Sequence, residues 1–194
     1  MIKNITQLGI FIALFVFTGL VFWSVYAVFI LNQTTIYQEN GLLENVQVLT
    51  LSIACFTFLL TAAHRRRNNK LLFLFFALIC LSCVLRELDV EDLNVPDFVI
   101  FIGSGIGRNV ILTIGFIAIF IYAAFNFAYY KEVSRKFLFS KSCLLIIGAG
   151  ILLCIGSLFE KLGAVRHHVF YEEISELAGY LMVLLMAFTC SRDS

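Results

Sequence analysis

The sequence predicts an all-α membrane protein: a bundle of six transmembrane helices that forms a single domain over residues 1–194, with both termini in the cytoplasm. Of the 194 residues, 61% are hydrophobic and 14% are charged, whereas soluble domains carry about 25% charged residues. The apolar residues form six continuous runs, and a helix needs roughly 20 such residues to cross about 30 Å of hydrocarbon. A transmembrane β-barrel would instead show alternating segments of about ten residues.

The six predicted spans leave only short loops between them, with no room for a soluble domain. They cover residues 8–31, 45–63, 71–88, 108–130, 142–159 and 174–190. The first run follows Lys3, as the apolar part of a secretion signal would, but it is longer than the roughly 7–15 apolar residues of a signal peptide. We therefore expect it to remain in the protein as the first span.

The charged residues between the spans sort by sign. The two basic loops hold Arg65, Arg66, Arg67 and Lys70 after span two, and Lys131, Arg135, Lys136 and Lys141 after span four. Segments 32–44, 86–108 and 160–176 hold eleven of the thirteen acidic residues and four of the fourteen basic ones. Because basic loops stay cytoplasmic, we expect a multi-pass protein of the inner (plasma) membrane with both termini inside and an acidic outer surface.

The segment between spans three and four allows more than one interpretation. The residues Asn-Val-Pro-Asp at 94–97 are typical of a helix start, because proline is favoured in the first turn. The apolar residues that follow are too few to cross a membrane, and the string Gly-Ser-Gly-Ile-Gly occupies 103–107. We expect a short interfacial helix or a re-entrant piece at 95–102; a kinked extension of span four is the alternative.

Several charged residues lie inside the ends of the predicted spans, at a depth where the helix has not yet left the hydrocarbon. Arg86 follows Lys70 by only 16 residues, or about 24 Å of helix, which is less than the roughly 30 Å of hydrocarbon. Glu176 lies equally far from Arg192 in span six. A charge at such depth is costly unless it is paired or faces a wet cavity. We therefore expect a buried polar cluster in the outer half of the bundle. Its candidate members are Glu44, Gln47, Arg86, Glu87, Asp89, Arg108, Glu172, Glu173 and Glu176.

Four roles for this cluster remain open at this stage. It could be a set of salt bridges that only hold the helices together, or a site that binds or conducts a cation or a proton. It could also dock a protein partner in a sensor or scaffold subunit, or serve a metal-dependent lipid-modifying enzyme. The leading hypothesis is the cation or proton site, because carboxylates at membrane depth commonly mark such routes. In it, Glu87 and Glu176 are the central carboxylates, and Arg86 and Arg108 tune them.

No catalytic residues and no cofactor beyond a cation are predicted. The expected partners are the lipid bilayer, further copies of the chain or another protein, and nucleic acid is not expected because membrane topology explains the basic runs. His167 and His168 lack the H-E-x-x-H pattern of zinc hydrolases. All six cysteines fall in apolar runs, which predicts buried thiols, Cys80 and Cys83 included, rather than disulfides.

A stripe of small residues marks span five. It consists of Gly148, Gly150, Cys154 and Gly156. Small residues let helices approach closely in membranes. The stripe therefore predicts either a seam within the bundle or a contact between protomers.

Overall fold

The computed structural model describes residues 2–38, 40–64, 70–88, 90, 96–163 and 165–192. This part of the chain is all-helical and contains no strand. The helices are α1 (Ile2–Phe29), a short 3-10 helix (Thr35–Tyr37), α2 (Leu42–His64), α3 (Lys70–Glu87), α4 (Asp97–Gly103), α5 (Gly105–Phe125), α6 (Phe127–Leu138), α7 (Lys141–Lys161) and α8 (His168–Arg192). Five of them, α1, α2, α5, α7 and α8, are long and apolar enough to cross a membrane. The prediction of a multi-pass helical membrane protein is confirmed at that level.

Helix α8 is the central element of the bundle. It packs against α7, α2 and α1, and α2 in turn packs along α3. More than half of its membrane-length segment is buried inside the protein, whereas only 6% of the corresponding segments of α1 and α5 is buried. The exposed helices carry large apolar side chains such as Phe15 and Phe125, as expected for surfaces that face lipid tails.

Glycines on α7 bring it close to α8. A Cβ atom at Gly148 would lie 2.8 Å from Met182 Sδ, and one at Gly156 would lie 2.9 Å from Glu176 Cγ. Gly150 instead faces open space, and Cys154 is exposed. The small-residue stripe therefore divides between two faces of the helix. One half forms a seam within the bundle, and the other half faces outward.

Helix α3 is shorter than the five candidate spans and carries charged residues at both ends. Its 18 residues correspond to about 27 Å of helix, and they include Lys70 at one end and Arg86 and Glu87 at the other. It nevertheless packs between α2 and α5 like its neighbours. A helix of this length reaches across the hydrocarbon only if its terminal charges stay close to the membrane boundary.

The fourth predicted span, 108–130, ends earlier than its apolar composition suggested. Helix α5 stops at Phe125, and Asn126 lies outside the helical region of backbone space, with φ −118° and ψ 35°. The Asn126 side chain donates to the Tyr122 carbonyl at 3.0 Å, and its own carbonyl accepts from Tyr130. Asn126 thus closes one helix and opens α6, because a short amide side chain competes with the helical backbone for hydrogen bonds.

Helix α8 begins at His168, although the sequence suggested a start near 174. The acidic residues from Glu172 to Glu176 therefore belong to the helix and not to the loop before it. They project from fixed positions on α8.

The described part of the predicted segment at 95–102 contains a short helix of its own, α4. Helix α4 follows Pro96, and the chain turns at Ser104 before α5 begins at Gly105, whose φ is +52°. A Cβ atom at Gly107 would overlap the Phe101 carbonyl, so glycine lets α4 fold back onto the first turn of α5. The described part of the expected helix starts at Asp97, and residue 95 lies outside the described residues.

Candidate functional site

The described charged residues separate to two ends of the bundle. At one end, the start of α3 meets α6 through Phe76 and Phe137, whose rings are 5.3 Å apart. The start of α7 meets the end of α8 there, with Cys190 Sγ 3.3 Å from Ser142 Oγ. We call this the basic end, defined by Lys70, Lys131, Arg135, Lys136 and Lys141. The acidic end is defined by the described candidate residues: Glu44, Gln47, Arg86, Glu87, Arg108, Glu172, Glu173 and Glu176.

Arg86 joins two carboxylates at the acidic end. Its Nη2 atom lies 2.6 Å from Glu87 Oε1 on the same helix. The same nitrogen lies 3.1 Å and 3.2 Å from the two carboxylate oxygens of Glu176 on α8. Glycine at position 156 leaves room for this arrangement, because a Cβ there would press on the Glu176 side chain. One guanidinium therefore links α3 to the central helix while sharing its charge between two acids.

Tyr180 completes this network, and sequence reasoning missed it. Its hydroxyl donates to Glu87 Oε1 at 2.7 Å and accepts from Arg86 Nη2 at 3.0 Å. Tyr180 is 1% exposed, so the phenol needs a polar partner in the core. The signal was available: Tyr180 follows Glu176 by one helical turn, and residues four apart share a helix face.

The network is open on one side. The side chains of Glu87 and Glu176 are 10% and 11% exposed, while that of Arg86 is 57% exposed. The carboxylates are therefore enclosed by protein, and the guanidinium forms their outer boundary. Two carboxylates and one guanidinium leave this group with a formal charge of −1.

A second polar contact links α2 to α8. Gln47 Nε2 donates to Glu173 Oε2 at 2.7 Å and to the Glu173 backbone carbonyl at 3.0 Å. The carbonyl can only accept, so the orientation of the Gln47 amide is fixed by chemistry. Gln47 is fully buried, and no described donor lies within hydrogen-bond distance of its Oε1 atom. A buried acceptor of this kind costs about 1–3 kcal/mol when it stays unsatisfied.

Glu173 has no cation beside it among the described side chains. Arg86 forms its ion pairs with Glu87 and Glu176, and no described Lys or Arg lies within ion-pair distance of Glu173. Its contact to Gln47 is a hydrogen bond from a neutral amide. Glu173 therefore places a formal negative charge next to the Arg86 network that is not paired with any described cation.

The remaining predicted members occupy other positions. Arg108, expected as a counter-ion, donates instead to the Leu85 carbonyl at 2.7 Å and ties the first turn of α5 to the end of α3. No described carboxylate lies within ion-pair distance of it. Glu44 accepts from the backbone N–H of Asn40 at 2.6 Å and so stabilises the start of α2. Glu172 is half-buried on α8, and Asp89 lies outside the described residues.

The two adjacent histidines contact different groups. The His167 Nδ1 atom lies 3.1 Å from the Tyr37 hydroxyl, and the His168 Nδ1 atom lies 3.2 Å from the Val165 carbonyl. Within the described ranges, no three residues of the His, Cys, Asp and Glu types are placed to hold a metal ion. The six cysteines are free thiols, but the expectation that they are buried holds only for Cys80 and Cys143. Cys154 is exposed, and the other three are half-buried.

No protein-family model, no curated protein and no solved structure matches this chain. The chemistry available to the protein is therefore inferred from its own side chains at the acidic end.

Proposed function

We propose that the protein binds a proton or a small cation at Glu173. We also propose that it is a bundle of six membrane-spanning helices, in which α3 spans the membrane in addition to the five candidate spans. The protein would then lie in the inner (plasma) membrane, with both termini and the basic end facing the cytoplasm, because basic loops prefer that side. The acidic end would lie in the outer half of the membrane. The packing of α3 between α2 and α5 supports its inclusion among the membrane-spanning helices.

The observation that carries the proposal is the charge balance of the acidic end. Arg86 pairs with Glu87 and Glu176, Arg108 donates to the Leu85 carbonyl, and no described Lys or Arg reaches Glu173, whose carboxylate accepts from the neutral amide of Gln47. Uncompensated charge at membrane depth costs several kcal/mol. An exchangeable positive charge near Glu173 removes that cost, whereas Glu87 and Glu176 already have Arg86.

A proton fits this position best. A protonated Glu173 becomes a neutral acid whose O–H can donate, and the adjacent Gln47 amide offers a buried acceptor that lacks a described donor. An acid and an amide can pair through two hydrogen bonds, with the amide N–H already in place at 2.7 Å. One proton therefore neutralises the carboxylate and supplies the missing donor.

Infrared difference spectroscopy of the protein in lipid vesicles tests the binding. We expect a protonated-carboxyl C=O band that responds to pH, disappears in Glu173→Gln and persists in Glu132→Gln. Glu132 is the matched control, because its carboxylate is exposed and pairs with Lys136 at the basic end. If Glu173→Gln leaves every pH-dependent carboxyl band unchanged, Glu173 does not bind the proton.

A flux assay distinguishes binding from conduction. Vesicles that contain the wild type or the same two variants are loaded with a pH-sensitive dye and given a proton gradient. A second set is loaded with a sodium- or potassium-sensitive dye and given a gradient of that cation. Conduction predicts flux in the wild type and in Glu132→Gln, and background in Glu173→Gln. If flux stays at background in all three proteins, the site binds its ligand without conducting it. If a cation crosses and protons do not, the ligand is that cation and not a proton.

A further inference from the structure

A cleft opens between α3, α5 and α6 at the basic end, away from the acidic network. Its volume is about 360 Å³. The walls are the apolar side chains of Leu71 and Leu74 on α3 and of Ala118 and Ile119 on α5. Leu74 is 40% exposed, and only 6% of the membrane-length segment of α5 is buried. The cleft therefore opens sideways, onto the surface that faces lipid tails.

The inner boundary of the cleft is closed by direct contact between the two helices. A Cβ atom at Gly115 on α5 would lie 3.0 Å from Leu78 Cδ2 on α3. Phe75 also packs edge-on against Phe116 and Phe120, with ring centroids 6.0 Å and 6.2 Å apart. These contacts between α3 and α5 close the cleft on the side away from Lys70.

The mouth of the cleft is polar and positively charged. Lys70, Tyr122 and Tyr130 line it, and the two tyrosine rings are 6.1 Å apart. Lys70 is exposed and forms no ion pair with a described carboxylate. Helix α3 begins at this residue, so the positive end of its dipole faces the same region.

We propose that this cleft binds an anionic phospholipid, with one acyl chain between α3 and α5 and the phosphate at Lys70 beside the hydroxyls of Tyr122 and Tyr130. The apolar walls favour a hydrocarbon chain, and basic pockets between transmembrane helices favour anionic headgroups. Tyrosines commonly lie at this headgroup level. A zwitterionic lipid fits the walls equally well, but its own cation weakens the attraction to Lys70.

Native mass spectrometry of the detergent-purified protein tests the proposal, with phosphatidylglycerol and phosphatidylcholine of identical acyl chains as probes. We expect wild type to retain phosphatidylglycerol preferentially. Lys70→Gln should weaken that binding by about fivefold, as expected for one basic residue near an anionic headgroup, and Lys70→Arg should preserve it. Lys161→Gln is the matched control, because Lys161 ends α7 at the opposite end of the bundle.

A second pair of variants tests the acyl chain. Ala118→Phe fills the cleft and should reduce the binding of both lipids, while Ala124→Phe adds the same ring at an exposed position of α5 outside the cleft and should not. Circular dichroism verifies that each variant remains helical. Equal retention of the two lipids by wild type, full binding by Lys70→Gln, or displacement of the lipid by inorganic phosphate alone would each overturn the proposal. None of these outcomes depends on Glu173.

Discussion

Removing the charge of Arg86 should destabilise the bundle, because Arg86 is the cation at the centre of the acidic network. In Arg86→Gln, the carboxylates of Glu87 and Glu176 remain, with side chains that are only 10% and 11% exposed. Breaking a fully buried ion pair costs about 3–5 kcal/mol, and breaking a surface pair costs about 0–1 kcal/mol. The Arg86 side chain is 57% exposed, so solvent screening places the expected loss between these limits, at about 2–3 kcal/mol.

Reversible unfolding in mixed micelles, with increasing mole fraction of sodium dodecyl sulfate, measures this loss as a change in the free energy of unfolding. The matched control is Lys136→Gln. It removes the cation of an exposed i,i+4 pair with Glu132, whose side chains are 76% and 56% exposed, and its unfolding curve should overlay that of the wild type.

The double variant Arg86→Gln with Glu176→Gln tests the physical reason. Once Glu176 is neutral, Glu87 no longer faces a second stranded carboxylate, so the double variant should be more stable than the sum of the two single variants predicts. We expect a coupling of about 1–3 kcal/mol, the range for residues in one network. An Arg86→Gln protein as stable as wild type, or strictly additive single changes, would refute the assignment of Arg86 as the compensating charge.

Two further substitutions probe the same region by the same unfolding measurement. Tyr180→Phe removes the hydroxyl that contacts Glu87 and Arg86. Because the ion pair itself persists, we expect the free energy of unfolding to fall by about 1.5 kcal/mol, the lower limit for a hydrogen bond to a charged group. Wild-type stability in this variant would contradict the expectation. Gly156→Ala presses on Glu176 and should cost about 1–3 kcal/mol, whereas Gly150→Ala on the open face of α7 should cost nothing; equal effects would contradict the close approach.

Hydropathy predicted the long helices well because a membrane-spanning segment must bury all its backbone polar groups within a single helix. It could not predict where an apolar run ends when the chain stays apolar. Asn126 interrupts such a run between α5 and α6 through its own side-chain hydrogen bond, which depends on local geometry. The start of α8 at His168 was predicted too late, because the charged residues in its first turns make that part of the helix too polar for hydropathy to include it in a span.

The depth of the charges predicted which residues belong near one another, and the structure brings Arg86, Glu87 and Glu176 together. Depth along a helix does not specify the direction in which a side chain points. Arg108 lies in the same layer, yet it contacts the Leu85 carbonyl, because only the packing of α5 against α3 decides which acceptor it reaches. The partner of Gln47 likewise depends on the contact between α2 and α8. The expectation of a homo-oligomer stays a prediction.

The adjacency of Arg86 and Glu87 has a consequence for the order in which the protein is made. Helix α3 leaves the ribosome well before α8, so in the proposed six-span bundle Arg86 would enter the membrane before Glu176 has been made. Glu87, one residue away and 2.6 Å from the guanidinium, supplies a neutralising charge from within the same helix. The charge of Arg86 in newly made α3 is thus neutralised by Glu87 until α8 packs against it. Because α8 provides both Glu176 and Tyr180, the polar network is complete only after α8 has been made and has packed against α3.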